Sequence, residues 1–149
     1  MMANPYTNIL VAIDCSEDSA AVLARAAALV PAGQARLHLI HVIEPLALAY
    51  GADVPMDVSD LQNSLVKQAR SKAGAFADQY GIAHEQIHVE LGSIEKTIQD
   101  KADSLDCDLI VVGSHTRSGL ALLLGSTARG LVPGAHCDVL AVKISRDGA

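Results

Sequence analysis

A chain of 149 residues, half of them apolar, has the length of one compact domain and enough apolar mass for a real core. Aromatics are confined to Tyr6, Tyr50, Tyr80 and Phe76, and the formal charge is −6, which together exclude a base-stacking platform and disfavour nucleic acid as a partner. No secretory leader is expected from the short, proline-interrupted opening; no apolar run approaches a membrane span; and Cys15, Cys107 and Cys137 are too scattered for a disulfide framework, so a cytoplasmic protein is expected.

Residues 8–14, Asn-Ile-Leu-Val-Ala-Ile-Asp, read as a buried strand that ends on the carboxylate of Asp14. Ser16 is placed to cap a helix with Glu17 and Asp18 in its first turn, where acids suit the dipole. That helix runs to about Val30 and stops at Pro31-Ala-Gly33. Residues 36–43 form a second strand. Residues 44–57 carry Pro45, Gly51 and Pro55 and predict a long loop, a binding segment or a plain connection. Over residues 59–80, Leu61, Leu65, Ala69, Ala73, Phe76 and Tyr80 recur three or four apart, predicting a helix with one apolar stripe that ends at Gly81.

Residues 86–91 give a third strand, more polar than the others and so expected at an edge. Gly92-Ser93 starts a helix over residues 94–105, with Ile94, Ile98, Ala102 and Leu105 on one face. Residues 109–112 are uninterruptedly apolar, the mark of a strand buried on both faces, and Gly113-Ser114 end it. A loop then leads to Gly125-Ser126, where Ser126 can cap a helix that stops near Pro133-Gly134. Residues 138–142 are the fifth strand.

Strands alternating with helices predict an α/β fold, a doubly wound five-stranded parallel sheet with helices on both faces, in one domain over residues 1–149. The first and fourth strands are the most apolar and are expected to be central neighbours. Ligands of such sheets sit beyond the strands' carboxyl ends, where the strand order switches. The expected crevice therefore lies between Ala12 and Asp14 on one side and the segment from Val112 and Gly113 to Thr127 on the other, with Val42 nearby. A glycine loop leading into a helix offers free N–H groups and a dipole to a phosphate, and serves equally well as a structural turn.

Rival chemistries find no support in the residues. There is no Gly-Lys-[Ser/Thr] P-loop, and Cys15-Ser-Glu-Asp after the first strand holds no dinucleotide-binding glycines. Gly92-Ser93 stands where a phospho-receiver needs an aspartate. The Ser-Gly-Gly run of PP-loop pyrophosphatases is missing too. No nucleophile, base and oxyanion-donor set is assembled, so no enzyme is expected. His38 and His41 alternate with Leu39 and Val42 along a strand and make no metal site without further ligands; no metal is expected. His115 has no orienting carboxylate fixed beside it and reads as a loop residue. Cys15 is either a reactive thiol near a helix N-terminus or a small buried side chain.

The opening Asn-Ile-Leu-Val-Ala-Ile-Asp-Cys-Ser-Glu, His41-Val42 after the second strand, and Asp108-Leu-Ile-Val-Val-Gly-Ser-His share an order and spacing with a known family. So do Leu-Leu-Leu-Gly-Ser-Thr127 and Cys137-Asp-Val-Leu-Ala-Val142. Over nearly its full length the chain resembles a universal stress protein. The resemblance implies the adenine-nucleotide α-hydrolase-like sheet, homodimers joined through the last strand, and a cytoplasmic role in stress resistance. The family's ATP binders carry Gly, two residues, Gly, nine residues, then Gly and Ser or Thr. Here Gly113 is present, but Thr116 holds the second glycine position, and residues 117–124 place eight residues before Gly125.

A β-branched residue where glycine's positive φ is needed costs about 1–2 kcal/mol. That alone weakens binding by about tenfold. In the family's binders the position of Asp14 contacts the adenosine; a carboxylate capping the next helix is the other reading of that residue. Arg117, Ser126 and Thr127 are placed to compensate in part. The chain thus looks closer to the universal stress protein A class. The expectation is a dimeric regulatory or interaction module with a protein partner, its nucleotide crevice degenerate and its binding of ATP or AMP weak or absent. The alternative is an ATP- or AMP-binding module with little or no hydrolysis. In either case the crevice residues are Ala12, Asp14, Val42, Val112, Gly113, Thr116, Arg117, Gly125, Ser126 and Thr127.

Overall fold

The computed structural model describes residues 6–14, 17–29, 36–44, 59–113 and 136–143. Five strands are assigned, β1 (Asn8–Ala12), β2 (Arg36–Ile43), β3 (Ile87–Leu91), β4 (Leu109–Gly113) and β5 (Asp138–Val142), with helices α1 (Asp18–Ala28), α2 (Ser59–Tyr80) and α3 (Ile94–Ser104) between them. All pairings are parallel, in the order β3-β2-β1-β4-β5. The first and fourth strands are neighbours at the centre, and the polar third strand is at an edge, as the apolar patterning predicts.

Side-chain alternation sorts the sheet into two faces. Ile9, Val11, Leu37, Leu39, Leu109 and Val111 point to one side and pack with Val22, Leu23 and Ala26 of α1 and Ala73 and Ala77 of α2. Leu10, Ile40, Ile110 and Val112 point to the other and pack with Ile98 and Ala102 of α3. Every residue of β4 is buried, which is why its sequence is continuously apolar.

Boundaries differ in instructive places. β1 ends two residues before Asp14, although the Ile13 N–H still donates to the Ile40 carbonyl at 2.9 Å. β4 runs on through Gly113. α1 starts behind Glu17, itself already helical and making no side-chain cap. On α2 the line that packs is Ala69, Ala73 and Ala77, whereas Leu61 of the expected stripe is 55% exposed. Ser16, the loop of residues 45–57, and the helix expected from Ser126 lie outside the described residues.

At the amino ends, the Asp108 carboxylate accepts from the Thr7 N–H (2.9 Å), the Thr7 hydroxyl (2.9 Å) and the Asn8 N–H (3.2 Å). This clasp fixes β1 against β4 from below.

Candidate functional site

The chain leaves β1 for β2 and β3 on one side and returns past it to β4 on the other, so the order switches between β1 and β4. α1 and α2 cover one face and α3 the other. At the carboxyl ends of the central strands Val112 is fully buried, Gly113 is buried and Ala12 is partly buried.

A cavity of about 320 Å³ opens at the carboxyl end of β2, beside the residue that follows β1 by two positions. Its strand wall is Asp14 after β1 and the run His41, Val42, Ile43 and Glu44 at the end of β2. Its helical wall is Leu65, Gln68, Ala69 and Lys72, which share one face of α2, and Ile94 closes it from the start of α3. Asp14 and Val42 both line it, whereas Ala12, Val112 and Gly113 do not. Thr116, Arg117, Gly125, Ser126 and Thr127, with His115 and Cys15, lie outside the described residues.

Asp14 bonds to the first turn of α1 and also lines the cavity. Its carboxylate accepts a hydrogen bond from the Ser19 hydroxyl at 2.9 Å, and its N–H donates to the same oxygen at 3.2 Å. This reciprocal pair closes the turn between β1 and α1, with Ser19 almost wholly buried. Asp14 is thus a helix-entry clamp whose position also forms cavity wall.

His41, His38 and Lys72 were not in the expected site, and two of the three line it. The His41 ring stands 2.8 Å through Nδ1 from the Ile13 carbonyl. A carbonyl only accepts, so Nδ1 carries the hydrogen of this contact. Lys72 and Gln68 come from a helix distant in sequence, and the helical spacing from Leu65 and Ala69 is the signal that would have placed them. His38 points to the opposite face, where its Nδ1 lies 3.3 Å from Nε2 of His88. Burial lowers the pKa of both rings, and the cations Arg36 for His38 and Lys101 for His88 add to it. Among the described residues no group of three or more His, Cys, Asp or Glu could hold a metal ion, and no helix is long and apolar enough to cross a membrane.

Comparison with known proteins agrees with this architecture. The model of the universal stress protein family matches residues 5–143. Universal stress protein A homolog 2 of Coxiella burnetii is 38% identical over 143 residues, covering 93% of this chain and 96% of that protein. The solved universal stress protein UspA from Lactobacillus plantarum superposes with a TM-score of 0.71 at 25% identity, over 92% of this chain and 97% of that one. A universal stress protein solved in complex with cAMP superposes with a TM-score of 0.56 at 23% identity, over 92% of this chain and 96% of that one. With its strand order, its two-faced core and a family match spanning nearly every residue, the chain belongs to the universal stress protein family.

Proposed function

We propose that this chain is a cytoplasmic, non-catalytic stress-response protein of one domain, acting as a homodimeric regulatory or interaction module whose nucleotide crevice is degenerate. The observation that carries this reading is the charge of the cavity wall. Its described lining holds two carboxylates, Asp14 and Glu44, and one cation, Lys72. The apolar side chains of Val42, Ile43, Leu65, Ala69 and Ile94 suit a planar base, and Gln68 and His41 supply polar contacts. A triphosphate, by contrast, meets more negative than positive charge, and an uncompensated like charge in a partly closed site is costly. Thr116 and the shortened loop before Gly125 act in the same direction. The hydroxyl of Ser19 is given to Asp14 and the His41 Nδ1–H to a backbone carbonyl, so neither pairs with the other as nucleophile and base.

The rival reading, an ATP- or AMP-binding module with little or no hydrolysis, draws support from the relative solved with cAMP, a nucleotide with a single phosphate. Calorimetric titration of ATP into the wild-type protein and Thr116→Gly separates the two. Weak or absent binding in the wild type and binding about tenfold tighter in the variant is expected, the equivalent of about 1.4 kcal/mol. Equal and strong binding in both would overturn the degenerate crevice.

A further inference from the structure

Cys107 and Cys137 are far apart in sequence and adjacent in the fold. Leu109 of β4 is the register partner of Asp138 of β5, so Cys137 stands one residue, and Cys107 two residues, before a paired position. The Asp108 N–H donates to the Asn8 carbonyl at 2.8 Å, whereas the Cys107 N–H donates to the Ala102 carbonyl at 2.9 Å, so Cys107 sits in the turn that ends α3, just ahead of the β4 ladder. Cys137 is near enough to act electrostatically on the Cys107 thiol. Both side chains also lie on the same side of the sheet, Cys107 buried in the cluster around Ile98 and Ile110 and Cys137 packed against that cluster. Both are free thiols.

We propose that Cys107 and Cys137 are an oxidant-responsive thiol pair that forms an intramolecular disulfide joining the entrance of β4 to the entrance of β5. Cys137, the less buried of the two, reacts first: its thiolate sulfur attacks an oxygen of a hydroperoxide and the O–O bond breaks. Its thiol is oxidised to a sulfenic acid while the peroxide is reduced and one water leaves; the Cys107 sulfur then displaces the sulfenic oxygen as a second water, closing the S–S bond. Two thiols and one hydrogen peroxide thus give one disulfide and two waters.

The surroundings set the character of this pair. Burial pushes the Cys107 thiol up to about 12, with the neighbouring Cys137 and Asp108 adding to it. Burial, followed by Asp103, Asp138 and Asp108, raises the Cys137 thiol as well. Thiols held neutral react slowly, because the thiolate is the nucleophile. The same disfavoured thiolates make the disulfide, once formed, hard to reduce, since nothing stabilises the leaving sulfur. The pair is therefore a slow, persistent record of oxidant exposure and not a rapid sensor.

Fully reduced protein exposed to hydrogen peroxide at pH 7 and pH 9, then alkylated under denaturing conditions and mapped by mass spectrometry, tests this. The expected product has lost two hydrogens, carries a Cys107–Cys137 peptide, keeps one alkylatable cysteine and returns to three on treatment with dithiothreitol. Its rate should rise by about a hundredfold between the two pH values, following the thiolate fraction. The oxidised chain should also melt at a higher temperature, because the bond closes a long loop in the unfolded ensemble. Cys137→Ser should abolish the product and the melting shift, and Cys107→Ala serves as the second variant should the first fail to fold. Three alkylatable thiols after peroxide at pH 9, a bond to Cys15, a bond between two chains through Cys137, or over-oxidation of Cys137 with Cys107 untouched would each overturn the proposal.

Discussion

Gly92 joins β3 to α3 at φ +153°, and a Cβ built on it would stand 2.6 Å from the Thr97 hydroxyl oxygen. Only glycine adopts that backbone freely, and strained residues of this kind cost about 1–3 kcal/mol. Gly92→Ala should lower urea-unfolding stability by that amount, and adding Thr97→Ala should recover only the part due to the clash. An unchanged midpoint would show that the turn relaxes. The consequence reaches the site, because Ile94, two residues on, closes the cavity. The His38–His88 pair gives a second expectation at this scale. Both rings have pKa values lowered in the fold, so the unfolded chain binds more protons as the pH drops through the ordinary histidine value of about 6.5. Stability contributed by the neutral pair is complete above that value and declines below it. The facing charges are Arg36, Arg70 and Lys101, which favour neutrality, and Glu90, which opposes it at His88. Melting temperatures taken from pH 8 to pH 5 should fall on the acid side, and His38→Val with His88→Val should flatten that slope. An identical slope in the double variant would assign the acid sensitivity elsewhere.

At the scale of elements, β4 is the member on which both faces depend. Val112 is fully buried, packed with Leu10 and Ile110 against α3. Val112→Asp would bury a carboxylate without a partner, a cost of several kcal/mol that rivals the whole stability of such a domain. Insoluble protein is expected, and a soluble variant with native-like melting would contradict the packing described. Strand type and order were legible because parallel strands covered on both faces must be apolar throughout, and β1 and β4 announce this in their residues. The ends were less legible. Nothing in Ala-Ile-Asp says where pairing stops, since Ile13 still bonds to β2 while its neighbour Asp14 turns to Ser19. Leu61 was misplaced because helical spacing gives the direction of a side chain but not whether anything packs against it; it is exposed while Ala69 and Ala73 on the same helix are buried. β5 is an edge whose outer residues are partly exposed, and its first residue, Asp138, accepts from the Tyr6 hydroxyl at 2.8 Å. A strand with no described partner on its outer side invites pairing with a second copy about a two-fold axis. Light scattering should report a dimer at micromolar concentration, and a monomer throughout that range would contradict it.

For the molecule as a whole, the acidic balance of −6 and the doubly wound sheet act together on one crevice. The cavity lies where the end of β2 and the residue beyond β1 face α2. Asp14 and Val42 line it because one stands just past the end of β1 and the other near the end of β2. Lys72, Gln68 and His41 could not be placed there from the sequence, because a helix's rotation over the sheet and a ring's hydrogen-bond partner are set by tertiary packing. The described lining carries Asp14 and Glu44 against a single Lys72 beside the apolar Val42, Ile43, Leu65, Ala69 and Ile94, and the proposed degenerate crevice rests on that balance. The most direct test is mass spectrometry of small molecules released when the freshly purified protein is denatured. The degenerate-crevice account predicts no adenine nucleotide at a level comparable with the protein. Nucleotide released in a one-to-one ratio with the chain would contradict it, and would make the protein an adenine-nucleotide carrier despite Thr116 and the acidic wall.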